Sequence, residues 1–167
     1  RLCGPPDCDP VQNSYHNIPG ITKFSGLESS LDWDIGHYFD LPFSLKPYVS
    51  LTKMFEYHTH EDDEKQAEPD ISDLNVSYGV RFSHPDSGFK ASVNAYYFGD
   101  IVDPAEGKVG GYNVVNLHLE KELAALANAG RFVIGLDVLN ATNQYYMTWN
   151  NYPQPGRYFR FNLAYEY

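Results

Sequence analysis

The chain has 167 residues, enough for one domain, and 22 acidic against 12 basic side chains give a formal net charge of −10, which argues against a nucleic-acid partner. Aromatic residues make up 16% of it, with 14 tyrosines, so a large aromatic surface has to be covered by something. No run nears the roughly 20 apolar residues that a transmembrane helix needs, so a membrane would have to be crossed by strands.

The opening residues Arg1 to Pro10 show neither the charged start nor the apolar stretch of a signal peptide, and the expectation is a chain that begins after processing or is a piece of something longer. Their Pro, Gly and Asp content makes them a loop. Cys3 and Cys8 stand in that loop. A disulfide between them would fix its shape and persist in an oxidising compartment, the alternative being two unrelated thiols. With no further Cys, a zinc cluster is disfavoured.

From there the sequence alternates with a period of two, the mark of strands with two unlike faces. Leu27, Leu31, Trp33 and Ile35 oppose Glu28, Ser30, Asp32 and Asp34, and Phe43, Leu45, Val49 and Leu51 oppose Ser44, Lys46, Tyr48 and Ser50. After a polar stretch over 58–73, Leu74, Val76, Tyr78, Val80 and Phe82 oppose Asn75, Ser77, Gly79, Arg81 and Ser83. A tight turn over 83–88 leads to Phe89, Ala91, Val93, Ala95 and Tyr97, set against Lys90, Ser92, Asn94 and Asp100. Val115, Leu117 and Leu119 follow, opposite Asn116, His118 and Glu120. Leu119, Leu123 and Leu126 also fit helical spacing, so residues 117–129 read either as a strand to about Glu122 with a helical turn after it, or as a longer helix. Phe132, Ile134, Leu136 and Val138 oppose Arg131 and Asp137, and in the last strand Phe159, Phe161, Leu163, Tyr165 and Tyr167 oppose Arg160, Asn162 and Glu166.

That gives about seven strands, each long enough to cross a bilayer when tilted. Short turns alternate with longer polar excursions over 58–73, 103–111 and 147–156. This asymmetry predicts an all-β fold, an antiparallel transmembrane β-barrel segment with short periplasmic turns and longer extracellular loops. Phe159, Phe161, Leu163, Tyr165 and Tyr167, with Trp33, are expected to face lipid, and Tyr97, Tyr165 and Tyr167 to lie near its interfaces. A soluble β-sandwich binding a partner through acidic loops is the competing expectation.

Candidate sites are few. His58 and His60 stand beside Glu61 in an acidic run, a donor set for a divalent metal, although a solvated loop tip is the plainer expectation, so neither metal nor cofactor is predicted. His16, His37, His84 and His118 fall in separate segments. Tyr112, Tyr145, Tyr146, Trp149 and Tyr152 lie in or near loops, to stack on a ligand or to form an aromatic girdle. There is no nucleophile elbow, no His-Glu-x-x-His and no phosphate-cradling Gly loop, so no enzyme is expected. The sequons at Asn75 and Asn140 fall within predicted strands, which disfavours glycosylation.

Several of these stretches resemble the TonB-dependent outer-membrane receptors. Residues 26–35 look like their G-x-E strand, and residues 110–123 like the strand before their last hairpin. Asn140, Asn143 and Tyr146, then Tyr152, Pro153, Pro155, Gly156 and Arg157 and the aromatic ending, are similar to their closing motifs, with Ala141 and Thr142 where Leu and Phe are usual. The likeness covers about residues 14 to 167, and leaves out the family's plug domain and TonB box. It implies the C-terminal part of a barrel of about 22 strands around a plug, in the outer membrane of a Gram-negative bacterium. It further implies uptake of a ferric siderophore, or of haem or cobalamin, with energy passed from TonB through the plug, and a terminal aromatic read by the barrel assembly machinery.

Overall fold

The computed structural model describes residues 21–61, 64–67, 71–103, 107–123, 130–148 and 152–166. Cys3, Cys8, Trp149 and Tyr167 lie outside the described residues. In chain order the elements are β1 (Ile21–Asp32), the one-turn helix α1 (Ile35–Tyr38), β2 (Ser44–Glu61), β3 (Glu64–Ala67), β4 (Leu74–His84), β5 (Phe89–Phe98), β6 (Ile101–Asp103), β7 (Gly107–Val109), β8 (Tyr112–Leu123), β9 (Arg131–Leu139) and β10 (Tyr158–Glu166). Seven of them make one antiparallel sheet in the order β1-β2-β4-β5-β8-β9-β10, while β3 folds back on the end of β2 and β6 pairs with β7 in a separate hairpin. The fold is all-β, as the alternation predicts.

Register turns the alternation of each strand into two faces of the whole sheet. Pro47, Val80, Val93, Leu117, Val138 and Phe159 form one cross-strand row, and Leu45, Phe82, Ala91, Leu119, Leu136 and Phe161 the next. On the opposite face one row runs Lys46, Arg81, Ser92, His118, Asp137, Arg160. The sheet therefore has an apolar side and a polar side along its whole width. No second layer packs on the apolar side among the described residues: Phe161 is 78% and Leu163 72% exposed, and of the described hydrophobic residues only Ala95 and Val114 are buried. A β-sandwich would need two facing sheets.

The connections fall at two ends. Residues 33–43, 85–88 and 124–130 link strands at one end, where β10 also finishes, and the longer stretches 62–73, 99–111 and 140–157 link them at the other. The turn after β4 is fixed by local chemistry: Ser87 N donates to His84 Nδ1 at 3.2 Å, and Gly88 takes the left-handed conformation at φ 63°.

The structure moves some predicted boundaries. Ile35 belongs to α1 instead of β1, because the Asp34 carboxylate accepts from His37 N at 3.1 Å and caps the helical turn. That bond, with help from Lys46 and Ser44, holds the Asp34 carboxyl below the usual range. β1 starts at Ile21, six residues before Leu27, and its pairing with β2 shifts register between Ser25 and Gly26, where Phe55 is an extra residue on β2. β2 runs through the predicted loop to Glu61, paired with β1 on one side and with β3 on the other. β8 stays a strand to Leu123, which excludes the helical alternative over 117–123. Pro47 is accommodated inside β2 because its carbonyl, which accepts from Trp33 N at 3.2 Å, points past the last residue of β1, and its missing N–H costs no ladder bond.

Gly79 is the tightest point of the sheet on the polar side. A Cβ there would come within 2.1 Å of the Val93 carbonyl and 3.0 Å of the Tyr48 ring, which covers the glycine from the facing strand. Gly79→Val should lower stability by about 1–3 kcal/mol, whereas Gly110→Ala, with nothing within 4 Å, should be neutral. Denaturant midpoints of the two variants test this, and equal midpoints would refute it.

Candidate functional site

The residues singled out by the sequence separate into three places. At the long-loop end, Tyr112 stands between Phe98 and Tyr146, with ring centroids 5.0 and 4.5 Å away. Tyr145 and Tyr152 are exposed on the surface of the 140–157 loop, apart from that stack. The five aromatic candidates therefore do not form one cluster: two are packed together, two face solvent, and Trp149 is outside the described residues. Burial between Tyr112 and the loop pushes the Tyr146 phenol above its ordinary value, with neighbouring Tyr158 adding to the shift.

Holding that loop in place is Asn140, 2% exposed and with a positive φ of 49°. Its amide nitrogen donates to the carbonyls of Gln144 at 2.8 Å and Pro155 at 3.1 Å, and its side-chain oxygen accepts from Gln144 N at 2.8 Å. Its own backbone N–H donates to Asn116 Oδ1 on β8 at 2.9 Å. Asn143, also at positive φ, accepts from Arg157 N at 2.9 Å. Asparagine is well suited to this place, since it tolerates the left-handed region and its short amide mimics a backbone turn. The two asparagines thus tie the end of β9 to the Pro-Gly-Arg that precedes β10. An Asn140 side chain engaged in this way has no free amide for a glycan.

The polar side carries the third place. Asp137 on β9, nearly buried, accepts from His118 Nδ1 at 2.6 Å, from Arg160 Nε at 2.9 Å and from Asn162 Nδ2 at 2.9 Å, joining three strands through one carboxylate. Glu120 bonds Lys90 Nζ at 2.7 Å and lies 3.8 Å from His118 Nε2. A carboxylate satisfied by three donors is a positioning centre. Phe159, Phe161, Leu163 and Tyr165 share the opposite face of β10.

His58 and His60 lie two apart in β2, opposite Lys23 and Ile21 on β1 and Ala67 and Lys65 on β3, while Glu61 pairs with Glu64. His58 is buried. Among the described residues no group of three or more His, Cys, Asp or Glu side chains is gathered for a metal. Sequence reading missed the tie made by Asn140 and the role of Asp137, although both asparagines are visible in the resemblance. No family model, curated protein or solved structure matches the chain.

Asn140→Ala should destabilise the 140–157 loop by about 1–3 kcal/mol, read as faster hydrogen exchange at the Gln144 and Arg157 amides, and unchanged exchange would show the tie to be idle. Because the folded pKa of Tyr146 is raised, its contribution is fully present below the ordinary tyrosine value near about 10 and is lost as pH rises through the folded value. Alkaline titration should loosen this loop, and Tyr146→Phe should remove that step from a pH series of loop proteolysis.

Proposed function

We propose that this chain is the C-terminal sector of a transmembrane β-barrel of the TonB-dependent receptor kind, in the outer membrane of a Gram-negative bacterium. The observation that carries the reading is the exposed apolar face that runs unbroken across seven strands. A lone sheet cannot bury such a face against itself, and lipid covers it without a second protein layer. The polar side, with its paired charges, suits a wet or plugged lumen. Connections that are short at one end and long at the other, with β10 finishing at the short end, add support. So does the exposed trio Trp33, Tyr38 and Phe39, with centroids 5.7 and 4.9 Å apart, at the short-turn end where an interfacial belt would fall.

On this reading β1 and β10 are edges at which the rest of the barrel pairs, and the chain works in uptake of a scarce metal-chelate nutrient instead of catalysis. A ferric siderophore is the ligand we favour, ahead of cobalamin or haem, with TonB acting through a plug domain that these residues do not include. That preference rests on the resemblance, and growth of a deletion strain on single iron or cobalamin sources tests it. The terminal aromatic strand is what the assembly machinery would read.

Phe161 stands near the middle of the apolar face of β10. Phe161→Arg should impair membrane insertion by about 2–4 kcal/mol, whereas Asn162→Ala, which leaves Asp137 its bonds to His118 and Arg160, should insert like the wild type. Heat-modifiable mobility and surface labelling report insertion. Normal insertion of the Arg variant together with failure of the Ala variant would overturn the lipid assignment.

A further inference from the structure

On the polar side, Lys46 and Arg81 are direct cross-strand partners. Like charges in that position repel and cost stability. Lys90, on the next row, adds a third cation to the same concavity of about 460 Å³. Three hydroxyls, Ser44, Ser83 and Ser92, complete its polar lining, with His118 at the rim toward β8. The cations keep carboxylate partners: Lys46 with Asp34 at 3.2 Å, Arg81 with Asp32, and Lys90 with Glu120 at 2.7 Å. None of those carboxylates lines the concavity. They hold the cations from outside that lining, and the Tyr48 ring lies 4.8 Å from the Arg81 guanidinium carbon. Tyr48 is itself held by a 2.7 Å bond to Asn94.

We infer that this concavity is a binding site for a small oxyanion, a ligand carrying carboxylate or phosphate groups. Arg81 offers planar paired donors, Lys46 and Lys90 point charges, and the serines neutral donors for the remaining oxygens. The volume is that of a small-molecule site. In a chain of net charge −10, three cations line one hollow while their carboxylate partners stay outside its lining. An anion there would add to the ion pairs with Asp34 and Asp32 that already offset the Lys46 and Arg81 repulsion. The inference stands whether or not the apolar face meets lipid.

Inorganic phosphate and citrate are suitable probes, titrated calorimetrically into the complete protein as isolated, in detergent where needed. Saturable binding with a Kd of roughly 0.1 mM is expected, weakening as salt rises. Arg81→Gln and Lys46→Gln should each weaken it about tenfold, and Lys23→Gln, at the far end of the sheet, should leave it unchanged. Asp32→Asn, which releases Arg81 from its carboxylate, should tighten it about threefold, a gain that misfolding cannot imitate. Absence of binding for both probes overturns the proposal, as does wild-type affinity in the Arg81 and Lys46 variants or weaker binding in Asp32→Asn.

Discussion

One antiparallel layer has two faces and no interior, and the residues of this sheet are distributed as that constraint requires. Backbone ladders satisfy the main chain within the layer, so each strand is free to differ completely from one side to the other. Apolar residues gather on one side without meeting a second sheet, and Ala95 and Val114 are the buried hydrophobics among the described residues. Burying a side chain the size of Phe161 or Leu163 is worth about 1.5–3 kcal/mol, so a row of them left in water is a large unfilled term. The stability of this sheet must come in good part from whatever wets its apolar side.

The polar side solves the opposite difficulty, that of holding charge close to a sheet without leaving it unpaired. Asp137 is the clearest case, its carboxylate receiving His118, Arg160 and Asn162 from the flanking strands. Asn140 does the same for backbone groups, fastening the loop between β9 and β10 against Asn116 on β8. Both centres lie on the last three strands, which are thus crosslinked through side chains on one side while the other side carries mostly rings and aliphatic chains.

Strand existence was legible in the sequence wherever the period of two ran unbroken, as in β4, β5, β9 and β10. It was hidden where something local interrupted the parity. Phe55 is an extra residue in β2 opposite Ser25 and Gly26, which reverses the parity of β2 from there on, and Asp34 turns the chain helical where alternation still continues. The extension of β2 through His58 to Glu61 was masked by its acidic composition, which reads as loop, whereas the pairing with β1 that makes it a strand is long-range. The aromatic candidates were judged by their place in loops, and packing divided them, uniting Tyr112 with Tyr146 and leaving Tyr145 and Tyr152 outside. The juxtaposition of Lys46 with Arg81 depends on register alone and has no signature within either strand.

Seven is an odd number, and the two edges of the sheet inherit its consequence. With every neighbouring pair antiparallel, β1 and β10 run in the same direction, from the long-loop end to the short-turn end. The sheet cannot curl round and zip its own edges together in antiparallel fashion. Two copies set side by side in the same orientation fare no better, since the β10 of one would meet the β1 of the other head to head. Any antiparallel ring that includes this sheet must take an odd number of strands from elsewhere, and the strands touching each edge must both travel from the short-turn end to the long-loop end.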